Sequence, residues 1–592
     1  MFQRITQLLT SANISLFVVG LMFCFPFAVA YHHLPIAAFY GEWFAALLGV
    51  VAMIALLSND FWRQLQLPEI ALVFLGLAGL LGVQYLMGLL HSAQYALLIL
   101  SYLIWALMLS VLGSYLRLRL GWERVATILA WFMLLGGVIN IVFVSMQFGF
   151  KSGLGFSFMP NFPSYGALAQ RNNFADYIAL TLISTLYLYA KEHFGFKRLL
   201  LSMVLLITLL AFSGSRSSWL YLGLITALAL LLQFLDIRQG LDSVQTRRLF
   251  RAALLVIPLF IIIQLLLGYF LSDTLVDLPN ERIENAIGSN DSSLRAQFWH
   301  TSWYLFNQSP WLGVGAGQIR WQTFLLLSNP AANPAQMVFE HSHNLFMHLL
   351  AEMGVLGALL VILGLGSWLY HFKWRALNLE AWWLLALLAV ISTHSMLEYP
   401  LWYTYFLGVF AFLLGAGEQK QISIQSSTAQ KIISVTTLCT VLIVSAINLV
   451  TMNMAYTKLE RWTNRAATKT VLESDRKAFF GDYSWVHNHS LLAPYAEMML
   501  INAIYVEADQ VNHYLWMSER AIRFMPTPNL VFQHALLLKL AGDEAAAANM
   551  MKLAMTAYPS SLSRNIALQP MQYQQLYLDM QATVKQTTQK IE

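Results

Sequence analysis

The sequence predicts an all-α polytopic integral membrane protein with its polar chemistry gathered on one face of the bilayer. Three observations predict it. First, 58% of the 592 residues are hydrophobic and 11% are charged, whereas a soluble domain carries about 25% charged residues. So little charge cannot cover a globule of this length with polar surface, and lipid must supply part of the solvent. Second, apolar runs long enough to cross a hydrocarbon core of about 30 Å as helices recur along the chain. Third, lysine and arginine are shared unevenly between the two alternating sets of connecting loops. The net charge of +5 is mild. It fits contact with membrane lipids and calls for no nucleic-acid partner.

Taken in order, the runs lie near 12–31, 36–57, 69–90, 95–116, 125–149, 174–190, 199–213, 217–235, 252–271, 344–370, 380–396, 400–416 and 432–451, thirteen candidate spans. The first, from Ile14 to Ala30, lacks a small-residue cleavage site and reads as a retained span rather than a signal peptide. Cys24 and Cys439 sit inside apolar runs, so neither a disulfide framework nor a cysteine metal site is expected. With the N-terminus in the cytoplasm, sixteen lysines and arginines fall in cytoplasmic loops. The opposite loops hold six: Lys151, Arg171, Arg216, Arg282, Arg295 and Arg320. That orientation suits a multi-pass protein of a bacterial inner membrane, with the C-terminal tail in the periplasm.

Two segments depart from tight hairpins. The stretch 272–343 is a long external loop, whose polar run (Asp291, Ser292, Ser293, Arg295) and Trp311–Gly317 turn predict ordered structure. The tail is polar and helix-prone, and Pro526 to Pro559 reads as a helical hairpin around Ala541-Gly542-Asp543, of tetratricopeptide type or part of a plain helical domain. The expected division is a membrane domain, 1–451, and a periplasmic helical domain, 452–592.

The unusual polar residues fall on the external face. Gln170-Arg171-Asn172-Asn173 opens the sixth span, where Asn172 or Asn173 could simply cap the helix. Arg216, in the turn Ser213–Ser218, either snorkels to lipid phosphate or pairs with an anion. With Arg295 it could grip a pyrophosphate. Glu340-His341-Ser342-His343-Asn344 heads the tenth span. A His-x-His pair suggests a metal, but His348 stands seven residues after His341, about 10 Å along a helix axis, so no shared ion is expected. A proton-transfer role for a histidine is the better functional reading, with an interfacial pair as the structural one. His394-Ser395-Met396-Leu397-Glu398-Tyr399-Pro400 forms a short turn, where Tyr399 alone would read as a membrane-interface anchor.

His343-Asn344, nine residues, Gly354, two residues and Gly357 resemble the signature of bacterial O-antigen ligases. The stretch from Arg295 through Ser309–Gly315 to Gly357 resembles the core shared by the O-antigen ligase and polymerase superfamily. Within it, Gln170–Ala175, the Glu398-Tyr399-Pro400-Leu401-Trp402 turn and the helical tail are similar to protein O-oligosaccharyltransferases of the PglL type. Arg171 stands where those carry proline, and Asn173 where they carry histidine. The resemblance implies a GT-C-like glycosyltransferase architecture. It implies glycan transfer from an undecaprenyl-pyrophosphate carrier to serine or threonine hydroxyls of an acceptor protein, a type IV pilin among relatives. It makes His343, Gln170 and Tyr399 needed for activity and Arg216 and Arg295 pyrophosphate-binding, with Asn172, Asn344 and Glu398 beside the substrate. No metal and no cofactor is implied. An O-antigen ligase acting on lipid A-core, a glycan polymerase and a lipid-linked glycan transporter are the competing readings.

Reporter fusions test the orientation: a cytoplasm-active reporter works at Asp242 and fails at Asn512. Cytoplasmic activity at Asn512 overturns the external tail.

Overall fold

Apolar length dictates the elements. The computed structural model describes residues 11–151, 165–168, 170–270, 291–329, 332, 335, 337–425, 427–505 and 510–589, and within them each of the thirteen runs is helical. The membrane domain comprises α1 (Ser11–Cys24), α2 (Phe39–Met53), α3 (Ala71–Leu86), α4 (Ala93–Leu120), α5 (Trp122–Lys151), α6 (Arg171–Ala190), α7 (Phe196–Phe212), α8 (Ser217–Arg238), α9 (Val244–Leu254), α10 (Val256–Phe270), α11 (Asp291–Gln308), α12 (Ile319–Leu326), α13 (Leu345–His371), α14 (Leu379–Ser395), α15 (Thr404–Gly417) and the start of α16 (Thr428–Ala467). Among the described residues, eight helical stretches are long and apolar enough to cross a membrane. α3, α14 and α15 are shorter apolar helices. The protein is a helical, multi-pass membrane protein. Arg4 and Arg282 lie outside the described residues.

Four features depart from the sequence reading. The fold is not purely helical: Leu65–Pro68 (β1) and Gln421–Ile424 (β2) pair antiparallel, Leu65 opposite Ile424, at the end of the bundle away from the polar cluster. The 252–271 run is entered by the amphipathic α9, and the helix re-forms as α10 after Leu255. Pro400–Trp402 is a 3-10 turn, because proline fits the start of a helix but starts no long one here. The last helix does not stop near 451. α16 runs 40 residues, about 60 Å at 1.5 Å per residue, so one continuous helix holds the last apolar run, long enough to cross a membrane, and the first element of the tail.

The 291–343 segment is held by a break in α13. Gly354 interrupts that helix with φ +64°, which leaves backbone groups that need partners where lipid offers none. The Trp311–Gly317 turn supplies them. Val314 N–H donates to Ala351 O at 2.9 Å, Gly315 N–H to Glu352 O at 3.1 Å, and Val355 N–H to Pro310 O at 2.8 Å. Gln84 on α3 staples the joint, donating to Leu312 O and Glu352 O at 2.6 and 2.8 Å and accepting from Ala316 N–H at 3.1 Å. The buried carboxylate of Glu352 accepts the N–H groups of Gly317 and Ile319 at 2.8 and 3.1 Å.

The tail continues as α17 (Arg476–His489), α18 (Ala493–Ala503), α19 (Val511–Phe524), α20 (Pro528–Leu540), α21 (Glu544–Ala557), α22 (Leu562–Ala567) and α23 (Met571–Gln589). The predicted hairpin is α20–α21, turned at Gly542 with φ +87°, and it is one of several in series. The tail docks firmly: the ring of Tyr456 stacks on Phe39 at 3.8 Å, Trp43 Nε1 donates to Leu449 O at 2.8 Å, and Phe324 of α12 is fully buried in the tail core.

Gly354→Ala tests the broken helix. A Cβ there would lie 2.3 Å from Trp311 O, on a backbone costly for an L-residue by about 1–3 kcal/mol. A fall in thermal stability and in yield of monodisperse protein in detergent is expected. A wild-type melting curve contradicts the docking.

Candidate active site

Four separated segments meet at one end of the bundle. Gln170 opens α6, its Oε1 accepting Asn173 N–H at 2.5 Å, so Gln170 and not an asparagine closes the first turn. Asn172, freed from capping, donates through Nδ2 to Glu398 Oε1 at 3.1 Å, and its Oδ1 accepts Ser215 Oγ–H at 2.8 Å. This links the α6 start to the Ser213–Ser218 turn, whose Arg216 leads into α8, and to the Glu398 turn. Asn344 caps α13: its Oδ1 accepts Phe346 and Met347 N–H at 3.0 and 3.1 Å, so that oxygen is committed to the fold rather than to a substrate.

His343 stands between these segments and α11. It holds φ +51°, an uncommon state for a non-glycine residue, and the surroundings enforce it. Its backbone N–H donates to His341 Nδ1 at 2.9 Å. α11 grips the preceding residue through Trp299 Nε1–H to Ser342 O at 3.1 Å and a Ser302–Ser342 hydroxyl pair at 2.8 Å. The imidazole Nδ1 lies 3.2 Å from Leu397 O and 3.3 Å from Glu398 Oε2. Two acceptors at Nδ1 assign the proton to that nitrogen and leave Nε2 with a lone pair.

The electrostatics agree. Burial pushes the Glu398 carboxyl up, but the hydrogen bond and charge of His343, with help from His394 and Arg295, hold it below the usual carboxylate range. As an anion facing Nδ1, Glu398 can orient the His343 ring. Burial, then the negative Glu398, push the Tyr399 phenol up, so Tyr399 is a hydrogen-bond donor. Burial, then His348 and His343, push His341 far below the histidine range, so it stays neutral.

The metal geometry differs from the sequence expectation. The rings of His341 and His348 stack at 4.5 Å, because His341 lies in a turn folded back over α13 and not on its axis. Among the described residues, no three histidine, cysteine or acidic side chains converge as a metal set. The two rings join Trp402, 4.9 Å from each, in a wall. Behind it lies a cavity of 740 Å³ between α2, α3, α4, α13, α15 and α16. Its lining is mostly apolar and includes Ile70, Leu365 and Trp402, with Tyr102 and with Tyr495 of the tail.

Three groups escaped the sequence reading. Arg320, counted only as a loop cation, pairs with Glu340 beside the cluster. Asp176 and Glu352 are buried in α6 and α13, contrary to the expectation that the spans are nearly free of charge. An acidic residue inside an apolar run was the available signal, since such a group needs a partner; Asp176 has His394, and Glu352 holds the Gly317–Ile319 backbone.

Comparison with known proteins follows the same segments. Residues 201–362 match a family described as O-antigen ligase, and residues 382–571 match one described as virulence factor membrane-bound polymerase, C-terminal. The first match contains Arg216, Arg295 and His343, and the second contains Glu398 and Tyr399. Over these two stretches the chain is similar to the O-antigen ligase superfamily. Among curated members, it is 25% identical over 394 residues to a general O-oligosaccharyltransferase of Acinetobacter baylyi, covering 65% of this chain. It is 24% identical over 372 residues to a ComP-specific O-oligosaccharyltransferase of the same organism, covering 62% of this chain. The alignments span 66% and 65% of those relatives, just under two thirds of each.

Glu398→Gln tests the His343–Glu398 pair. Glu398 is held below its ordinary range, so it is the anion that faces Nδ1 of His343, and the neutral amide removes that charge. Transfer is expected to fall by about 10²-fold or more in folded Glu398→Gln protein. Wild-type transfer by this variant separates Glu398 from His343.

Proposed function

We propose that this chain is a metal-independent glycosyltransferase. It moves an oligosaccharide from an undecaprenyl-pyrophosphate carrier to a serine or threonine hydroxyl of a periplasmic protein, with type IV pilins as the acceptor class to try first. The single observation that carries the reading is the convergence, at one end of the bundle, of an oriented imidazole with the segments that bear Arg216 and Arg295. The activities for which the two Acinetobacter relatives are named support oligosaccharide transfer. The long apolar cavity supports a lipid-linked donor, because it offers a hydrocarbon chain a path beside the polar cluster.

In the step proposed, the acceptor oxygen attacks the anomeric carbon as its proton passes to His343 Nε2. The bond from that carbon to the pyrophosphate oxygen breaks, and the electron pair leaves with the pyrophosphate. Arg216 and Arg295 stabilise the charge that develops there. Glu398 and Leu397 O hold Nδ1–H, fixing the tautomer and favouring the imidazolium that forms. Tyr399 donates a hydrogen bond, and Gln170, its amide oxygen engaged in capping, keeps an N–H donor. This reading sets the thirteen spans in the inner membrane with the N-terminus cytoplasmic, and puts the site, the 272–343 loop and the 452–592 domain in the periplasm. The polymerase and ligase family descriptions favour a second reading, in which the acceptor is a glycan or lipid A-core and the chemistry is unchanged.

The test is expression in a host that makes one defined undecaprenyl-linked glycan, with pilin and lipid A-core both present. Added glycan mass on the pilin is expected, and transfer to lipid A-core alone selects the second reading. Arg216→Ala, Arg295→Ala and His343→Ala lower transfer strongly in folded protein, the last by about 10²–10⁴-fold. His341→Ala is milder, since its ring supports the His343 backbone. Near-normal transfer by His343→Ala, or loss of transfer on chelation with EDTA, contradicts the mechanism.

A further inference from the structure

α6 and α14 meet through two matched rungs. Near the polar cluster, Asn172 on α6 holds Glu398, which follows α14. One helical turn deeper, Asp176 Oδ2 and His394 Nδ1 form a 2.7 Å hydrogen bond with both side chains fully buried. Asn172 and Asp176, four residues apart, share one face of α6, and Glu398, four residues after His394, lies in the turn that closes on the His394 carbonyl. His394 is also the residue on which the Glu398 turn closes. Its carbonyl accepts Leu397 N–H at 2.9 Å and Glu398 N–H at 2.8 Å. The rung is walled by Tyr221 and Phe406, whose rings lie 6.4 and 6.1 Å from the imidazole. Asp176 Oδ1 and His394 Nε2 make no hydrogen bond to any described residue, so the pair has only itself to bind.

We propose that Asp176 and His394 are a positioning pair: they set the register of α14 against α6, so that Glu398 meets Asn172 on one side and His343 on the other. This rests on the catalytic reading of His343. The pair lies too deep to touch a substrate at the membrane face, and its bond is longitudinally selective. A buried polar pair fixes which residues face each other in a way that apolar packing does not. A slip of α14 by one residue would carry Glu398 about 1.5 Å along the helix axis and about 100° around it, out of reach of both partners.

The experiment reads geometry separately from activity. Cys24→Ala and Cys439→Ala remove the native thiols, and Asn172→Cys with Glu398→Cys report the upper rung by the rate of copper-phenanthroline disulfide formation. Fast closure is expected in this parent. Asp176→Leu slows it several-fold, and Asp176→Asn, whose side-chain oxygen still accepts His394 Nδ1–H, restores it. If Asp176→Leu does not fold, the Asp176→Leu/His394→Leu pair is used, because two apolar residues replace a buried polar pair at little cost in stability. Closure is slowed there as well. In the chain with native residues at 172 and 398, the same double substitution lowers kcat for a polyprenyl-pyrophosphate-linked trisaccharide by about 10²-fold, with the donor KM unchanged. Parent-rate closure in the folded double-leucine protein overturns the positioning role, whatever the transfer assay gives. Slowed closure with unaltered kcat leaves the geometry standing and removes Glu398 from catalysis.

Discussion

The structure depends on one broken helix. A chain that spans a bilayer must satisfy its backbone groups internally, and α13 leaves some unsatisfied at Gly354. The Trp311–Gly317 turn fills the gap in β-like fashion, with Gln84 and Glu352 stitching its other edge. That docking fixes the 291–343 segment against the bundle. From it follow the placement of α11, which carries Arg295 and the residues that grip Ser342, and of α12, which carries Arg320 and anchors the tail through Phe324. The same helix begins at Asn344, directly after His343, so helix break and imidazole belong to one rigid unit.

Around that unit the polar groups divide into those that hold and those that are free to act. Gln170 Oε1, Asn344 Oδ1, both oxygens of Glu352 and Nδ1 of His341 are all spent on backbone N–H groups. Asn172 and Glu398 hold one another. His343 Nε2 is left with its lone pair, and Tyr399 is kept protonated by burial and by Glu398. Preorganisation of this kind is what a transfer site needs, because groups already oriented do not reorganise as charge develops. The neutral state of His341 serves the same end. A second imidazolium beside His343 would disfavour the proton transfer proposed for it.

Much of this was legible in the sequence. Apolar run lengths located helical segments, eight stretches of which among the described residues are long and apolar enough to cross a membrane, and Gln170, Arg216, His343 and Tyr399, expected on one face, lie on segments that the structure brings together. What escaped was set by partners distant in sequence. Capping by Gln170 rather than Asn172 depends on Glu398, which lies 226 residues further on and claims the asparagine side chain. The His341–His348 stack was excluded by a helical spacing that does not apply, because His341 lies in a turn. Gly354 was visible as a motif glycine, but its reason, an approaching carbonyl at Trp311, requires the loop to be in place. The β1–β2 ribbon joins segments more than 350 residues apart and carries no local turn signal.

In the proposed reaction, one membrane-face site with His343 as base joins a lipid-linked glycan to a protein hydroxyl. Its most direct test is intact mass and fragment analysis of a purified pilin incubated with the purified chain and a synthetic undecaprenyl-pyrophosphate oligosaccharide of known mass. One added oligosaccharide mass is expected, located on a serine or threonine and released by alkaline β-elimination, with equimolar undecaprenyl pyrophosphate formed. An unmodified protein alongside a donor elongated by a second oligosaccharide would contradict it and make the chain a polymerase.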